Sequence, residues 1–157
     1  MGVDNYANRY IESINLLSIQ SEYQIDNSEV TNGEFFTNLV SITRSVKEAG
    51  GRIFFVGNGA SAAFANHMTL DWSKNGNVQS FSLSDSALLT ALSNDYSYDS
   101  AFTVFFKIYQ GGPADLVVTI SSSGNSSNIV DTLEFCKENG VKTVSFSGLK
   151  PDNKSRA

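Results

Sequence analysis

The sequence predicts an α/β fold, a parallel doubly wound sheet with helices on both faces, preceded by two N-terminal helices. Three observations predict it. Short apolar runs lie at Arg52–Val56, Val78–Leu83, Leu116–Ile120 and Val141–Phe146, each of strand length and bounded by turn-forming residues. The stretches between them are long enough for crossover helices, which parallel strands need. Ahead of Gly50, apolar residues instead recur at spacings of three and four, the period of a helix.

The first helix is expected from Asn5 to about Ser21, with Tyr6, Tyr10, Ile14 and Leu17 on one face. A second begins near Thr31, where Thr31-Asn32-Gly33-Glu34 has the form of a capping box, and its apolar face runs Phe35, Leu39, Ile42, Val46 before Gly50-Gly51 ends it. The run Arg52–Val56 then reads as a buried strand leading into the small, polar loop Gly57-Asn58-Gly59-Ala60-Ser61. Val78–Leu83 is the second strand and Leu116–Ile120 the third. The third leads into Ser121-Ser122-Ser123-Gly124-Asn125-Ser126, and a helix with Ile129, Val130, Leu133 and Phe135 follows. Val141–Phe146 is the fourth strand, and Asp152–Ala157 resembles the start of another helix. The whole is expected to be one domain, 1–157, with a helical N-terminal segment 1–49.

Composition narrows the function. A hydrophobic share of 41%, a charged share of 17% and only 2 Pro are globular values. A net charge of -5 without clustered Lys and Arg argues against nucleic acid as a partner. No apolar run approaches the roughly 20 residues of a membrane helix, so no membrane partner is expected. Cys136 is the sole cysteine, which rules out an intrachain disulfide, and the N-terminus lacks a signal-peptide pattern, so a cytoplasmic location is expected.

In open parallel sheets, ligands bind beyond the carboxyl ends of the strands, so the loops after the first and third strands are the places to search. The serine loop sets four hydroxyls and exposed backbone N–H groups at the start of a helix. That arrangement suits a phosphate, because free N–H groups there carry partial positive charge and short hydroxyls bind an anion without a cation. A helix cap alone would need one serine. Gly57-Asn58-Gly59-Ala60-Ser61-Ala62 also satisfies the dinucleotide fingerprint, but the acid that reading needs for the ribose is only Asp85, which comes late, so no nucleotide cofactor is expected. A hydrolase triad lacks its nucleophile elbow. Cys136 has the spacing of a core thiol, and Trp72 that of a packing residue. Tyr96 and Tyr98 suit either a sugar contact or a subunit contact.

Four ordered motifs resemble the sugar isomerase (SIS) domain family, and within it the sedoheptulose 7-phosphate isomerases. They are Phe55-Val56-Gly57-Asn58-Gly59-Ala60-Ser61, Asn66-His67 with Asp71, Ser93-Asn94-Asp95-Tyr96-Ser97-Tyr98, and Ile120–Asn128 around the serine loop. The resemblance implies a flavodoxin-like three-layer sandwich and an aldose–ketose isomerase working through an enediol. It implies that Ser121, Ser122, Ser123 and Ser126 bind the sugar phosphate, that Asn58 and Ser61 hold sugar hydroxyls or phosphate, and that Asp95 lies on the rim. It implies Asp71 as the carboxylate base, with His67 beside it. The family often binds zinc through a histidine and a glutamate at these two positions. Asp71 is shorter than that glutamate by one methylene, a reach of roughly 1.5 Å. The resemblance further implies a homo-oligomer, a tetramer, with active sites at subunit contacts. It also implies a last strand and helix carrying the acid and a second pair of metal ligands, which these 157 residues do not contain. That leaves open a non-catalytic phosphosugar-binding or sensing module as the alternative to an isomerase.

Overall fold

The computed structural model describes residues 3–156. By internal packing the chain divides into two units, 1–40 and 41–157.

In the first unit, helix α1 (Val3–Ile19) is followed by a hairpin of β1 (Tyr23–Ile25) and β2 (Ser28–Val30), then by the start of α2 (Asn32–Glu48). The hairpin is antiparallel, with Tyr23 opposite Val30 and Ile25 opposite Ser28. Its two turn residues, Asp26 and Asn27, both have positive φ (48° and 63°), as a tight primed turn requires and as Asp and Asn tolerate. The Tyr23 ring packs against Phe35 and Phe36 at 5.4 and 6.0 Å, and its hydroxyl accepts from Asn32 at 3.2 Å. The capping box forms as expected. The Thr31 N–H donates to the Glu34 carboxylate at 2.8 Å, and the Glu34 N–H returns to the Thr31 hydroxyl at 3.3 Å. The Thr31 hydroxyl also donates to that carboxylate at 2.7 Å, and the two bonds it accepts from Thr31, the backbone one first, hold the Glu34 carboxyl below its ordinary pKa. The expected apolar face of α1 is present, but Tyr6, Tyr10, Ile14 and Leu17 are all exposed in the single chain.

In the second unit, β3 (Ile53–Gly57), β4 (Ser80–Ser82), β5 (Leu116–Ser121) and β6 (Lys142–Ser147) form one parallel sheet in the order β4-β3-β5-β6. Helices α3 (Ala60–Lys74), α4 (Ser86–Asp95), α5 (Ala101–Ile108) and α6 (Ser127–Glu138) make the crossovers. Side chains alternate faces along a strand, so Phe54 and Phe55 report the two layers. Phe54 packs edge-on against Phe106 at 4.9 Å and Phe105 at 6.0 Å on α5, whereas Phe55 meets Trp72 of α3 at 5.6 Å. Helix α3 therefore covers one face. On the other lies the main core, where Phe54, Val56 and Val117 join Leu92 of α4, Phe102, Phe105 and Phe106 of α5, and Ile129 and Cys136 of α6.

The sheet begins on a clasp. The Asp115 carboxylate, 3% exposed, accepts from the Arg52 guanidinium at 2.9 and 3.1 Å, from the Arg52 backbone N–H at 2.7 Å and from the Gly112 N–H at 2.9 Å. This ties together the residues that lead into β3 and β5. The expected second strand is shorter than Val78–Leu83, because only Ser80–Ser82 pairs with β3, though Val78 and Leu83 are still buried. After Ser147 the chain closes in a turn and a short 3-10 helix, Lys154–Arg156.

Candidate functional site at the switch point of the sheet

The strand order decides where a ligand can enter. From β3 the chain steps to β4 on one side, then crosses back to β5 on the other, so the crevice opens at the carboxyl ends of β3 and β5. These two strands are paired up to Gly57 and Ile120, which sets the glycine loop and the serine loop side by side. Gly57 is needed for the approach, since a Cβ there would stand 2.8 Å from the Ser61 backbone and 2.9 Å from the Ile120 carbonyl oxygen.

The serine loop is held from within and from behind. Ser121 is buried and its hydroxyl accepts from the Gly124 N–H at 3.1 Å, while the Ser123 hydroxyl accepts from Asn125 N–H at 3.2 Å. Ser122 is exposed, and its carbonyl accepts from the Gly148 N–H at 3.1 Å. Behind the loop stands the turn after β6. There Ser155 N–H reaches the Gly124 carbonyl at 3.0 Å and Lys154 N–H the Asn125 side chain at 2.9 Å. Asn153, 4% exposed, donates to the Ser147 hydroxyl and the Lys150 carbonyl. The turn that the sequence suggested as a new helix is thus a brace for this loop.

Ser126 is the N-cap of α6, with extended backbone angles, yet its hydroxyl makes no capping hydrogen bond. The first N–H groups of a helix have no partner within it. Here the start of α6 lies beside the half-buried Ser123 and Ser126 hydroxyls, an arrangement of donors that can receive an anion.

Two further residues complete the crevice: Asn128, to which the sequence pattern gives no role of its own, and Tyr98, which it offers for a sugar or a subunit contact. Asn128, 1% exposed, forms a reciprocal amide pair with Asn58, at 2.9 and 3.0 Å. The Tyr98 hydroxyl donates to the Asn58 side-chain oxygen at 2.8 Å. Asp99 accepts from the Ser127 hydroxyl. The segment between α4 and α5 therefore touches the glycine loop and the start of α6. Asn128 lies within the serine-loop motif, but its partner is 70 residues away and no local pattern marks such a pair.

The remaining expected site residues are more scattered. Ser61 is half-buried in the first turn of α3, its N–H bonded to the Asn58 carbonyl at 3.0 Å. Asp95 ends α4, exposed, and accepts from Asn94 at 2.9 Å. His67 and Asp71 share one face of α3 as their spacing requires, with His67 Nε2 3.4 Å from an Asp71 carboxylate oxygen and the His67 side chain 63% exposed. Asp71 also accepts from Asn75 at 3.3 Å. A catalytic zinc commonly takes three protein ligands. These two are one short, and among the described residues no three of His, Cys, Asp and Glu stand together. The pair does not by itself fit zinc. Asp85, the acid of the dinucleotide reading, caps α4 by accepting from the Leu88 N–H at 2.8 Å. Trp72 packs on Phe55, and burial pushes the Cys136 thiol up to about 12.

Comparisons with known proteins place the chain in a family. The sequence model of the SIS domain matches residues 25–148. A phosphoheptose isomerase from Solidesulfovibrio magneticus is 35% identical over 137 residues, covering 82% of this chain and 63% of that protein. A probable phosphoheptose isomerase from Thermoplasma volcanium is 41% identical over 110 residues, covering 66% and 56%. The chain thus spans less than two thirds of the length of these curated relatives. Among solved structures, a phosphoheptose isomerase from Neisseria gonorrhoeae aligns with a TM-score of 0.65 at 26% identity, over 97% of this chain and 78% of that one. Another, from Francisella tularensis, shares the fold with a TM-score of 0.81 at 22% identity, over 99% and 80%. A serine cradle at the switch point of a parallel sheet and a family match across most of the residues that build it lead to one conclusion: the chain belongs to the SIS domain family.

Proposed function

We propose that this chain carries the phosphosugar site of an aldose–ketose isomerase acting on sedoheptulose 7-phosphate and making glycero-manno-heptose 7-phosphate for heptose biosynthesis. The observation that carries the reading is the uncapped start of α6 behind the serine loop, beside Asn58 at the switch point. The relatives' name, phosphoheptose isomerase, supports a phosphorylated heptose as the substrate, and the family resemblance points to sedoheptulose 7-phosphate.

In this reading the phosphate sits on the Ser121–Ser126 loop, with the Ser123 and Ser126 hydroxyls and the α6 N–H groups donating to it. Asn58 and Ser61 orient the sugar chain. Isomerisation then needs a base to take a proton from C1 of the ketose. The C–H electrons form the C1–C2 double bond, and the carbonyl electrons move to O2, which takes up a proton. The enediol collapses in reverse order. Its O1 proton leaves, the C1 carbonyl forms, and C2 receives a proton. Asp71 is the carboxylate assigned as base and His67 the neighbour that can carry its proton. The apolar side chains exposed along α1 support assembly into a homo-oligomer, a tetramer by family resemblance. We also assign the protein to the cytoplasm; no described helix is long and apolar enough to cross a membrane.

The mutual pairing of His67 and Asp71 favours a second reading, a phosphosugar-binding module without turnover. Incubating the protein with sedoheptulose 7-phosphate, with and without zinc, separates the two. Aldose formation supports the isomerase, binding without product supports the module, and absence of both rejects the phosphosugar site.

A further inference from the structure

Asn58 can offer a ligand only a hydrogen-bond donor, and the cause lies outside both loops. An amide oxygen has two lone pairs. On Asn58 one takes the Asn128 amide at 3.0 Å and the other the Tyr98 hydroxyl at 2.8 Å. The Asn58 nitrogen gives one hydrogen to the Asn128 oxygen at 2.9 Å. Its second N–H takes no partner among the described residues and lies at the carboxyl end of β3, where the crevice opens.

The Asn58–Asn128 pair cannot set this polarity alone, because turning both amides over together preserves both of its bonds. Tyr98 breaks the tie. A phenol oxygen shares its lone pairs with the ring, so the hydroxyl donates better than it accepts and selects the Asn58 oxygen over the nitrogen. Asp99, next in the chain, accepts from Ser127 and pins the same segment to the start of α6. We propose that Tyr98 is a positioning residue of the phosphosugar site, locking the Asn58 amide so that its free N–H meets an oxygen of the sugar. This rests on the crevice being a phosphosugar site.

Tyr98→Phe removes the hydroxyl and leaves the ring. The 157-residue variant is expected to bind sedoheptulose 7-phosphate about three- to tenfold more weakly, the worth of one hydrogen bond, and the side-chain amide resonances of Asn58 and Asn128 are expected to move or broaden as two orientations become populated. Inorganic phosphate, which meets the serine loop alone, should bind both proteins equally. Asn58→Asp offers acceptors only and should weaken the sugar phosphate by about tenfold or more. Unmoved amide resonances, or unchanged sugar-phosphate affinity, in Tyr98→Phe would overturn the assignment, as would full affinity in Asn58→Asp. Should the unaltered protein bind no phosphosugar, the functional reading falls instead, and the amide resonances still decide whether Tyr98 orients Asn58.

Discussion

Gly124 carries two constraints at once. Its φ of +62° lies in the left-handed region, and a Cβ there would stand 2.0 Å from the Asn153 side-chain oxygen. Gly124→Ala should therefore displace the loop from its brace, lowering stability by about 1–3 kcal/mol and sugar-phosphate affinity with it; calorimetric binding and urea unfolding read the two effects. Ser126 is the opposite case. Its hydroxyl caps nothing, so Ser126→Ala should leave unfolding within about 0.5 kcal/mol of the parent while weakening the phosphosugar by about 1.5–3 kcal/mol, the cost of a hydrogen bond to a charged group. An equal loss in stability would mean that the serine serves the helix and not the anion. Cys136, fully buried and with its thiol pushed up to about 12, should resist alkylation at pH 8 until the protein is unfolded.

At the scale of the element, what the sequence showed depended on how local each signal was. The capping box at Thr31, the four parallel strands and the glycine and serine loops are patterns within a few residues, and they lie where the sequence predicts, the second strand shortened to Ser80–Ser82. The hairpin Tyr23–Val30 leaves only a faint pattern in the sequence because its strands are three residues long, although Asp26-Asn27 is a turn pair in plain view. Crossover packing split the stretch between the second and third strands into α4 and α5, and that break places Tyr98 and Asp99 against the site. No periodicity announces such contacts, since they join residues 28 to 70 apart. The capping box makes its own prediction. The Glu34 carboxyl has a lowered pKa in the fold, so its contribution is fully present above the ordinary value of 4.5 and is lost as pH falls through the lowered one. Thr31→Ala removes the hydroxyl partner, and a carboxyl titration followed by NMR should show Glu34 moving back toward its ordinary pKa.

For the sheet as a whole, the two ends of its strands do different work. The carboxyl ends of β3 and β5 hold uncapped N–H groups, exposed hydroxyls and an amide with a spare donor, all of which a folded chain on its own would be better off pairing. The opposite ends are closed by Arg52 and Asp115, which pair with one another, and the Arg52 guanidinium also reaches the Tyr109 and Gln110 carbonyls. A cavity of about 400 Å³ beside this clasp, lined by Arg52, Gln79, Gln110 and Asp115 among others, therefore has its charged groups already committed to one another. Asp115→Ala would strip the carboxylate from a partly buried guanidinium and from two backbone N–H groups. A cost of roughly 3 kcal/mol follows, which for a domain of this size lowers Tm by about 6–12 °C. Sugar-phosphate affinity, measured well below that Tm, should stay within about twofold of the parent, because the ligand groups lie beyond the other end of strands five and six residues long. If affinity fell in step with Tm, the two ends would be coupled through β3 and β5, and the serine loop would owe its shape to the clasp as well as to the turn behind it.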